Sequence, residues 1–202
     1  LRTLMLNTIG KQFAHPNGIC GRLATKVMNL MNHKMYDMVL MHLQTTEART
    51  ILDVGFGNAQ VLKKALRLHS GTYYGVEISE TMIKKARQDK ALQGTELVYG
   101  KVEELPFQDE MFAYQYSINT IYFWESLDQG FQELYRCGKP DSICVIAFYS
   151  ASWLKRKRRL FPMFHCYEKE TILQSMESNG FTKESLLTMG KDKGYCLIAR
   201  RK

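Results

Sequence analysis

The stretch T-I-L-D-V-G-F-G-N-A-Q-V-L, residues 50–62, decides which fold this sequence predicts. It opens with a short apolar run that carries an acid, Asp53, near its end, which is typical of a buried strand. Gly55 and Gly57 predict a tight turn, and the apolar spacing from Asn58 onward predicts a helix. Glycine allows positive φ angles, and the free N–H groups at a helix start can bind a ligand. The unit therefore predicts a nucleotide-sized binding site.

The spacing of the glycines separates two kinds of nucleotide site. The dinucleotide fingerprint G-x-G-x-x-G requires a third glycine at position 60, where this chain has Gln60. The pattern D-x-G-x-G instead resembles motif I of class I S-adenosylmethionine-dependent methyltransferases. In that family the turn holds the methionine end of the cofactor, and the acid orients the loop. The resemblance implies that Asp53, Gly55, Phe56 and Gly57 bind S-adenosylmethionine.

A second predicted strand, residues 72–77, again ends in an acid, Glu77, which lies 24 positions after Asp53. A carboxylate suits a ribose because it can accept hydrogen bonds from two hydroxyl groups. The segment V-E-I-S-E-T-M-I-K-K-A resembles motif II of the same family. The resemblance implies that Glu77 holds the ribose and that Ile78 and Met82 pack on the adenine. A plain core position is the alternative for Met82.

The segment after the third predicted strand departs from the family pattern at one position. The sequence K-V-E-E-L-P-F, residues 101–107, shares L-P-F with the family's G-D-A-x-x-L-P-F. Lys101 replaces the acid that contacts the adenine amino group. The resemblance leaves Val102 to offer its backbone N–H to the ring, and Glu103 as the acceptor in place of that acid.

The fourth predicted strand is followed by N-T-I-Y-F-W-E, residues 119–125, a segment that lines the methyl-transfer pocket in the family. The resemblance places Ser117 where a backbone carbonyl meets the cofactor's amino group. Tyr122 is a candidate pocket residue, whereas Phe123 or Trp124 is expected in the core. The segment offers no general base. Displacement of a methyl group from a sulfonium depends mainly on alignment and dehydration, so activity is still expected.

The residues before the first strand contain apolar side chains at helical spacing, which predicts at least two amphipathic helical pieces. By resemblance, residues 1–46 form a helical lid over a cofactor-binding core at 47–202, and together they make one domain. The lid is expected to be mobile as far as about His42. His15 is a second candidate pocket residue, and an ordinary helix start is its alternative.

The complete pattern predicts an α/β fold. The resemblance implies a Rossmann-like, doubly wound sheet of seven strands, mostly parallel, with the last strand antiparallel. Two further apolar runs, residues 181–187 and 195–200, predict the hairpin that ends this sheet.

Charge is unevenly distributed along the chain, whose net charge is +8. Residues 50–149 hold ten Lys or Arg against thirteen acids, and residues 150–202 hold twelve against five. The run K-R-K-R-R, residues 155–159, follows the fifth predicted strand, on the side where doubly wound sheets bind ligands. An anionic acceptor, RNA, an anionic membrane surface and a merely solvated surface each fit this run.

Composition limits the compartment. A hydrophobic content of 45% and 24% charged residues are ordinary for a soluble domain. The sequence has no apolar run long enough for a transmembrane segment, no signal-peptide core and no C-x-x-C pair among its five cysteines. We therefore expect a cytoplasmic protein with reduced thiols and no metal site.

Motif I, motif II and L-P-F occur in the family's order and spacing. The sequence therefore predicts a methyltransferase of the small, quinone-methyltransferase-like branch that acts on an anionic or aromatic small molecule, with peripheral membrane contact left open. Two alternatives remain: an RNA methyltransferase that grips phosphates with residues 155–159, and a non-catalytic protein that binds the cofactor. Nucleic acid is the weaker alternative because the sequence has no N-P-P-Y-type base pocket.

Overall fold

A computed structural model of the chain describes residues 18–157 and 164–202, with side chains from residue 30 onward. The helices of these ranges are α1 (Gly18–Gln44), α2 (Gln60–Leu68), α3 (Glu80–Arg87), α4 (Leu127–Cys137), α5 (Ala151–Arg156) and α6 (Lys169–Ser178). The strands are β1 (Thr50–Val54), β2 (Thr72–Glu77), β3 (Glu96–Tyr99), β4 (Phe112–Ile118), β5 (Gly138–Tyr149), β6 (Phe181–Met189) and β7 (Gly194–Arg201).

The described strands form one seven-stranded sheet in the order β3-β2-β1-β4-β5-β7-β6. β7 runs antiparallel to both β5 and β6, and the other neighbours are parallel. Parallel neighbours need crossover connections, and α2, α3 and α4 lie in these connections, whereas α6 lies between β5 and β6, the two strands that flank β7. The predicted doubly wound α/β sheet with a reversed last strand is confirmed.

β1 lies where the strand order reverses. β2 and β3 extend the sheet on one side of β1, and the chain then returns to place β4 on the other side. Residues 51–54 of β1 are all buried, as expected for a central parallel strand. The loops after β1 and β4 therefore diverge at the carboxyl edge of the sheet, and the crevice between them is the usual ligand position in such folds.

The second half of α1 belongs to the hydrophobic core. Met35, Val39 and Leu43 recur at helical spacing and are completely buried. The Tyr114 hydroxyl on β4 donates to the Val39 carbonyl (3.4 Å) and lies 3.0 Å from His42 Nδ1. These apolar side chains are withdrawn from water against the sheet, and the mobility of the lid as far as His42 stays a prediction.

The earlier part of the predicted lid, including His15, lies outside the described residues. The division of the chain at residue 46 therefore stays a prediction, although the second half of α1, which lies in that segment, packs as core.

α5 carries the start of the basic run. Lys155 pairs with Glu168 at 2.8 Å, and Arg156 and Lys157 are exposed. The last two residues of the run lie outside the described residues. The described part of the run is therefore on the surface, with one of its charges already compensated.

Candidate functional site

The connection between β1 and α2 is a tight turn with three left-handed residues. Gly55, Gly57 and Ala59 have φ angles of +75°, +52° and +56°. Residues with a Cβ atom rarely adopt the left-handed backbone region, so glycine is favoured in such a turn. The Asn58 side-chain oxygen accepts the Gln60 N–H at 3.0 Å. Because this side-chain turn comes first, α2 begins at Gln60, two residues later than predicted.

The two glycines of the turn are needed for different reasons. A Cβ atom at Gly55 would overlap the methyl group of Thr120, which lies on the loop after β4. A Cβ atom at Gly57 would meet nothing closer than the Gly55 carbonyl oxygen at 4.0 Å. Gly55 therefore permits close packing of two loops, whereas Gly57 leaves bare backbone open to a ligand.

Glu77 joins the end of β2 to this turn. Its Oε2 atom accepts the Gly57 N–H at 2.8 Å, and its Oε1 atom accepts the Ser79 N–H at 2.9 Å. The Ser79 hydroxyl accepts the Met82 N–H at 3.4 Å and caps α3. Two backbone amides therefore fix the Glu77 carboxylate, which keeps lone pairs for further donors.

A cavity of about 400 Å³ opens at the carboxyl edge of the sheet. Ten of the eleven residues predicted to bind the cofactor line it. They are Asp53, Gly55, Phe56, Gly57, Glu77, Ile78, Met82, Lys101, Val102 and Glu103. These residues come from the ends of three strands, and the sheet brings them together because parallel strands end at the same edge.

Ser117 is the predicted residue that does not line the cavity. Its buried hydroxyl donates to the Val54 carbonyl at 3.0 Å and contacts the Thr120 hydroxyl. Trp124 Nε1 donates to the same Thr120 oxygen at 3.1 Å. These hydrogen bonds hold the loop after β4 against the end of β1. The cavity wall begins one residue later, at Ile118.

The aromatic residues after β4 differ from the prediction at Tyr122. This candidate pocket residue does not line the cavity, and its buried hydroxyl donates to Asn119 Oδ1 at 2.9 Å. Of Phe123 and Trp124, one of which was expected in the core, Trp124 is buried, whereas Phe123 is 47% exposed; both border the cavity. The reason is local backbone geometry. Asn119 has a φ of +58°, and the 3-10 turn Ile121–Phe123 directs the Tyr122 ring inward.

Two carboxylates, those of Glu103 and Glu125, lie near Lys101, the position that departs from the family pattern. Lys101 Nζ lies 2.7 Å from Glu125 Oε1, and this contact raises the pKa of the ammonium group. Glu103 Oε1 accepts the Glu125 N–H at 2.7 Å. An acceptor for an amino group is therefore present at this end of the cavity without an acid at position 101.

Two cavity residues on α1 were not singled out from the sequence. Asn32 and Tyr36 are one helical turn apart, and both are buried. The Tyr149 hydroxyl at the end of β5 donates to Asn32 Oδ1 at 2.7 Å, and Asn32 Nδ2 donates to the Tyr36 oxygen at 3.4 Å. The available sequence signal was an i, i+4 pair of polar groups beside an apolar stripe. Tyr149, the partner of Asn32, is 117 positions away, which no local pattern reveals.

Asp53 is a buried acid, only 4% exposed. Tyr116 is its register partner on β4 and donates its hydroxyl to Asp53 Oδ2 at 2.9 Å. Burial raises the pKa of the Asp53 carboxyl to about 7 despite this hydrogen bond, and the charge of Glu77 adds to the rise. Asp53 takes part in no ion pair with another described residue.

The residues of the cavity fit S-adenosylmethionine. The carboxylate of Asp53 suits the cationic ammonium of an amino-acid group, and Gly57 has no side chain to prevent close approach of the ligand to the turn. The Glu77 carboxylate suits ribose hydroxyls, and Ile78 and Met82 offer apolar contact to a base.

The residues whose side chains are described contain no group of three or more His, Cys, Asp or Glu that could hold a metal ion. None of the described helices combines the length and the hydropathy that crossing a bilayer requires.

The known proteins that resemble this chain in sequence, reported below, are described as methyltransferases. A family model described as a methyltransferase domain matches residues 52–146. The uncharacterized methyltransferase YdaC of Bacillus subtilis (strain 168) is 26% identical over 125 residues, which cover 61% of this chain and 69% of that protein. The 2-methyl-6-phytyl-1,4-hydroquinone methyltransferase 2 of Oryza sativa subsp. japonica is 26% identical over 147 residues, which cover 69% of this chain and 41% of that protein.

A solved structure shares the fold. The S-adenosylmethionine-dependent methyltransferase from Mesorhizobium loti superposes with a TM-score of 0.71 at 16% identity, covering 82% of this chain and 98% of that one. The segment that the family model matches, residues 52–146, begins within β1 and ends within β5. It therefore contains the glycine turn, Glu77 and the loop after β4. The family model, the relatives and the fold agree: residues 52–146 match a methyltransferase domain, and the chain shares its fold with S-adenosylmethionine-dependent methyltransferases.

Proposed function

We propose that this chain transfers the methyl group of S-adenosylmethionine to a small aromatic or quinol-like acceptor. The observation that carries the proposal is the single cavity that combines the glycine turn and Glu77 with an aromatic wall at Phe123 and Trp124. The rice relative, which is named for a hydroquinone acceptor, supports the same class of substrate.

The cofactor roles follow from what each group offers. Gly55 and Gly57 hold the methionine end, and Asp53 compensates its positive charge. The Glu77 carboxylate accepts from the ribose, and the apolar side chains of Ile78 and Met82 hold the adenine. S-adenosylmethionine brings a methyl group that is already activated on a sulfonium. The chain's own task is therefore to align the acceptor and to exclude water.

The charges of the cavity favour a neutral acceptor over an anionic one. Asp53, Glu77 and Glu103 contribute carboxylates to its wall, and Lys101 is the single ammonium among the described lining residues. That ammonium is already paired with Glu125. No described lining cation is therefore left to pair with an anionic acceptor, so the aromatic half of the predicted substrate class is the better supported.

The test is methyl transfer from methyl-labelled S-adenosylmethionine to a panel of alkylated 1,4-hydroquinones, simple phenols and total RNA. We expect label in the hydroquinone or phenol products, and loss of this transfer in Glu77→Ala. Label confined to RNA would support the nucleic-acid alternative. Absence of transfer to every acceptor by a chain that binds the cofactor would support the non-catalytic alternative.

A further inference from the structure

Tyr116 is a buried phenol whose hydroxyl serves one partner, the carboxylate of Asp53. The two residues are direct neighbours across β1 and β4, and their oxygens are 2.9 Å apart. Tyr116 is 1% exposed and does not line the cavity, whereas Asp53 does. Tyr116 therefore lies outside the cavity and is connected to its wall through the hydrogen bond to Asp53.

Among the residues whose side chains are described, none places a positive charge beside Asp53. The titratable groups that face it are Tyr116 on β4, Glu77 on β2 and Tyr36 on α1. None of these is a cation, and no described Lys, Arg or His pairs with Asp53. A buried carboxylate with one hydrogen bond and no counter-charge is costly, so protonation is favoured in the empty cavity.

We propose that Tyr116 is a positioning residue that acts through Asp53, and that the cationic end of the cofactor displaces the Asp53 proton when it binds. This rests on the proposed use of S-adenosylmethionine. The Asp53 O–H bond breaks, its proton leaves to solvent, and no bond of the cofactor changes. The Tyr116 hydroxyl keeps its own proton, because burial and the neighbouring carboxylate raise its pKa, and it donates to the carboxylate that remains.

The consequence is a cofactor affinity that depends on pH. With a free-site pKa of about 7 for Asp53, apparent affinity should improve about tenfold between pH 6 and pH 8. Binding at pH 7 should release about half a proton. The cofactor's own amino group titrates near pH 8 and also affects the pH dependence of binding. This contribution is the same for every variant, so it cancels when variants are compared.

The experiment compares Tyr116→Phe with Tyr114→Phe, using S-adenosylmethionine as the probe. Tyr114 lies on the same strand and is equally buried, but its hydroxyl contacts Val39 and His42 instead of Asp53. Calorimetric titrations from pH 6 to pH 9, in buffers of different ionisation enthalpy, give the affinity and the protons released. Thermal unfolding shows that each variant is folded.

Tyr116→Phe removes the donor that favours the charged carboxylate. It should weaken binding about fivefold at pH 7 and leave it nearly unchanged at pH 9, because the Asp53 pKa then rises by roughly one unit. Tyr114→Phe should keep the wild-type profile within about twofold.

A wild-type affinity without this pH dependence and without proton release would overturn the inference and leave the proposed function standing. Two further results would also overturn it. One is a pH profile of affinity that is the same for Tyr116→Phe and wild type. The other is a shift of that profile in Tyr114→Phe as large as the shift in Tyr116→Phe. A folded wild-type chain that does not bind S-adenosylmethionine at any pH would overturn the proposed function as well.

Discussion

At the scale of single residues, Glu77 combines support of the site with ligand recognition. Its two oxygens accept the Gly57 and Ser79 amides, and the same carboxylate lines the cavity. A substitution therefore acts both on the shape of the glycine turn and on the ribose contact. A carboxamide keeps one acceptor oxygen, so Gln should retain part of each function, which Ala removes completely.

We predict that Glu77→Ala weakens S-adenosylmethionine binding by roughly 1–3 kcal/mol, because ribose hydroxyls and the Gly57 N–H lose a charged acceptor. Glu77→Gln should fall between this variant and wild type. Isothermal titration calorimetry measures both. Glu80→Ala, in the first turn of α3 and exposed, is the matched control and should bind normally. Unchanged affinity in Glu77→Ala would remove Glu77 from the site.

At the scale of elements, α1 anchors the cavity wall to the sheet. Its apolar stripe is core, and Tyr149 at the end of β5 holds Asn32 by a 2.7 Å hydrogen bond. The same helix therefore contributes to folding and places Asn32 and Tyr36 at the cavity. We predict that Leu40→Ala, at a residue 3% exposed, lowers the free energy of unfolding by about 2–4 kcal/mol.

Met41→Ala is the control for this prediction. Met41 is the next residue but is 66% exposed, so its truncation should change stability by less than about 0.5 kcal/mol. Urea denaturation of both variants gives the comparison. Similar small effects at the two positions would mean that α1 covers the core loosely, as the lid prediction required.

The described part of the basic run, Lys155 to Lys157, is exposed and lies outside the cavity lining. None of Lys155, Arg156 and Lys157 lines the cavity, so direct contact with a small acceptor there is not supported for these three residues. Attraction to an anionic membrane remains as a proposal, since exposed cations act on such a surface at longer range.

Replacing Arg156, Arg158 and Arg159 with Ser should therefore weaken sedimentation with vesicles that contain phosphatidylserine, and leave S-adenosylmethionine affinity unchanged. Neutral phosphatidylcholine vesicles provide the control, and added salt should reduce the wild-type binding. Wild-type binding that is equal with both vesicle types would show that the run is a solvated surface.

At the scale of the whole molecule, the burial of Asp53 ties stability to pH. The folded chain holds the Asp53 proton with a pKa of about 7, above the ordinary value of 3.8. The folded state therefore binds this proton more tightly than the unfolded state does. The resulting stability is fully present below about pH 4 and is lost as pH rises through 7.

In the absence of cofactor, we predict that wild type loses about 2–3 kcal/mol more stability than Asp53→Asn between pH 5 and pH 8. An amide has no proton to lose over this range, and the other titrating groups are common to both chains. Urea denaturation at the two pH values measures the difference. Parallel pH profiles for the two chains would contradict the raised pKa.

The sequence by itself determined the elements whose signals are local. The glycine turn follows from backbone conformations that glycine favours, and Ser79 caps α3 through a residue three positions away. The alternation of strands and helices, with the family resemblance, predicted the sheet and its reversed last strand. Because parallel strands end at one edge, most of the predicted cofactor residues also lie together in the cavity.

Only the tertiary structure decided which side chains complete that cavity. Asn32 is held by Tyr149 from across the fold, and Asp53 is held by Tyr116, 63 positions later. The inward position of Tyr122 goes with the positive φ angle at Asn119 and the 3-10 turn that follows it, which no periodicity encodes. The burial that raises the Asp53 pKa is likewise a property of the packed molecule, because desolvation depends on every element around the carboxylate and not on its neighbours in sequence.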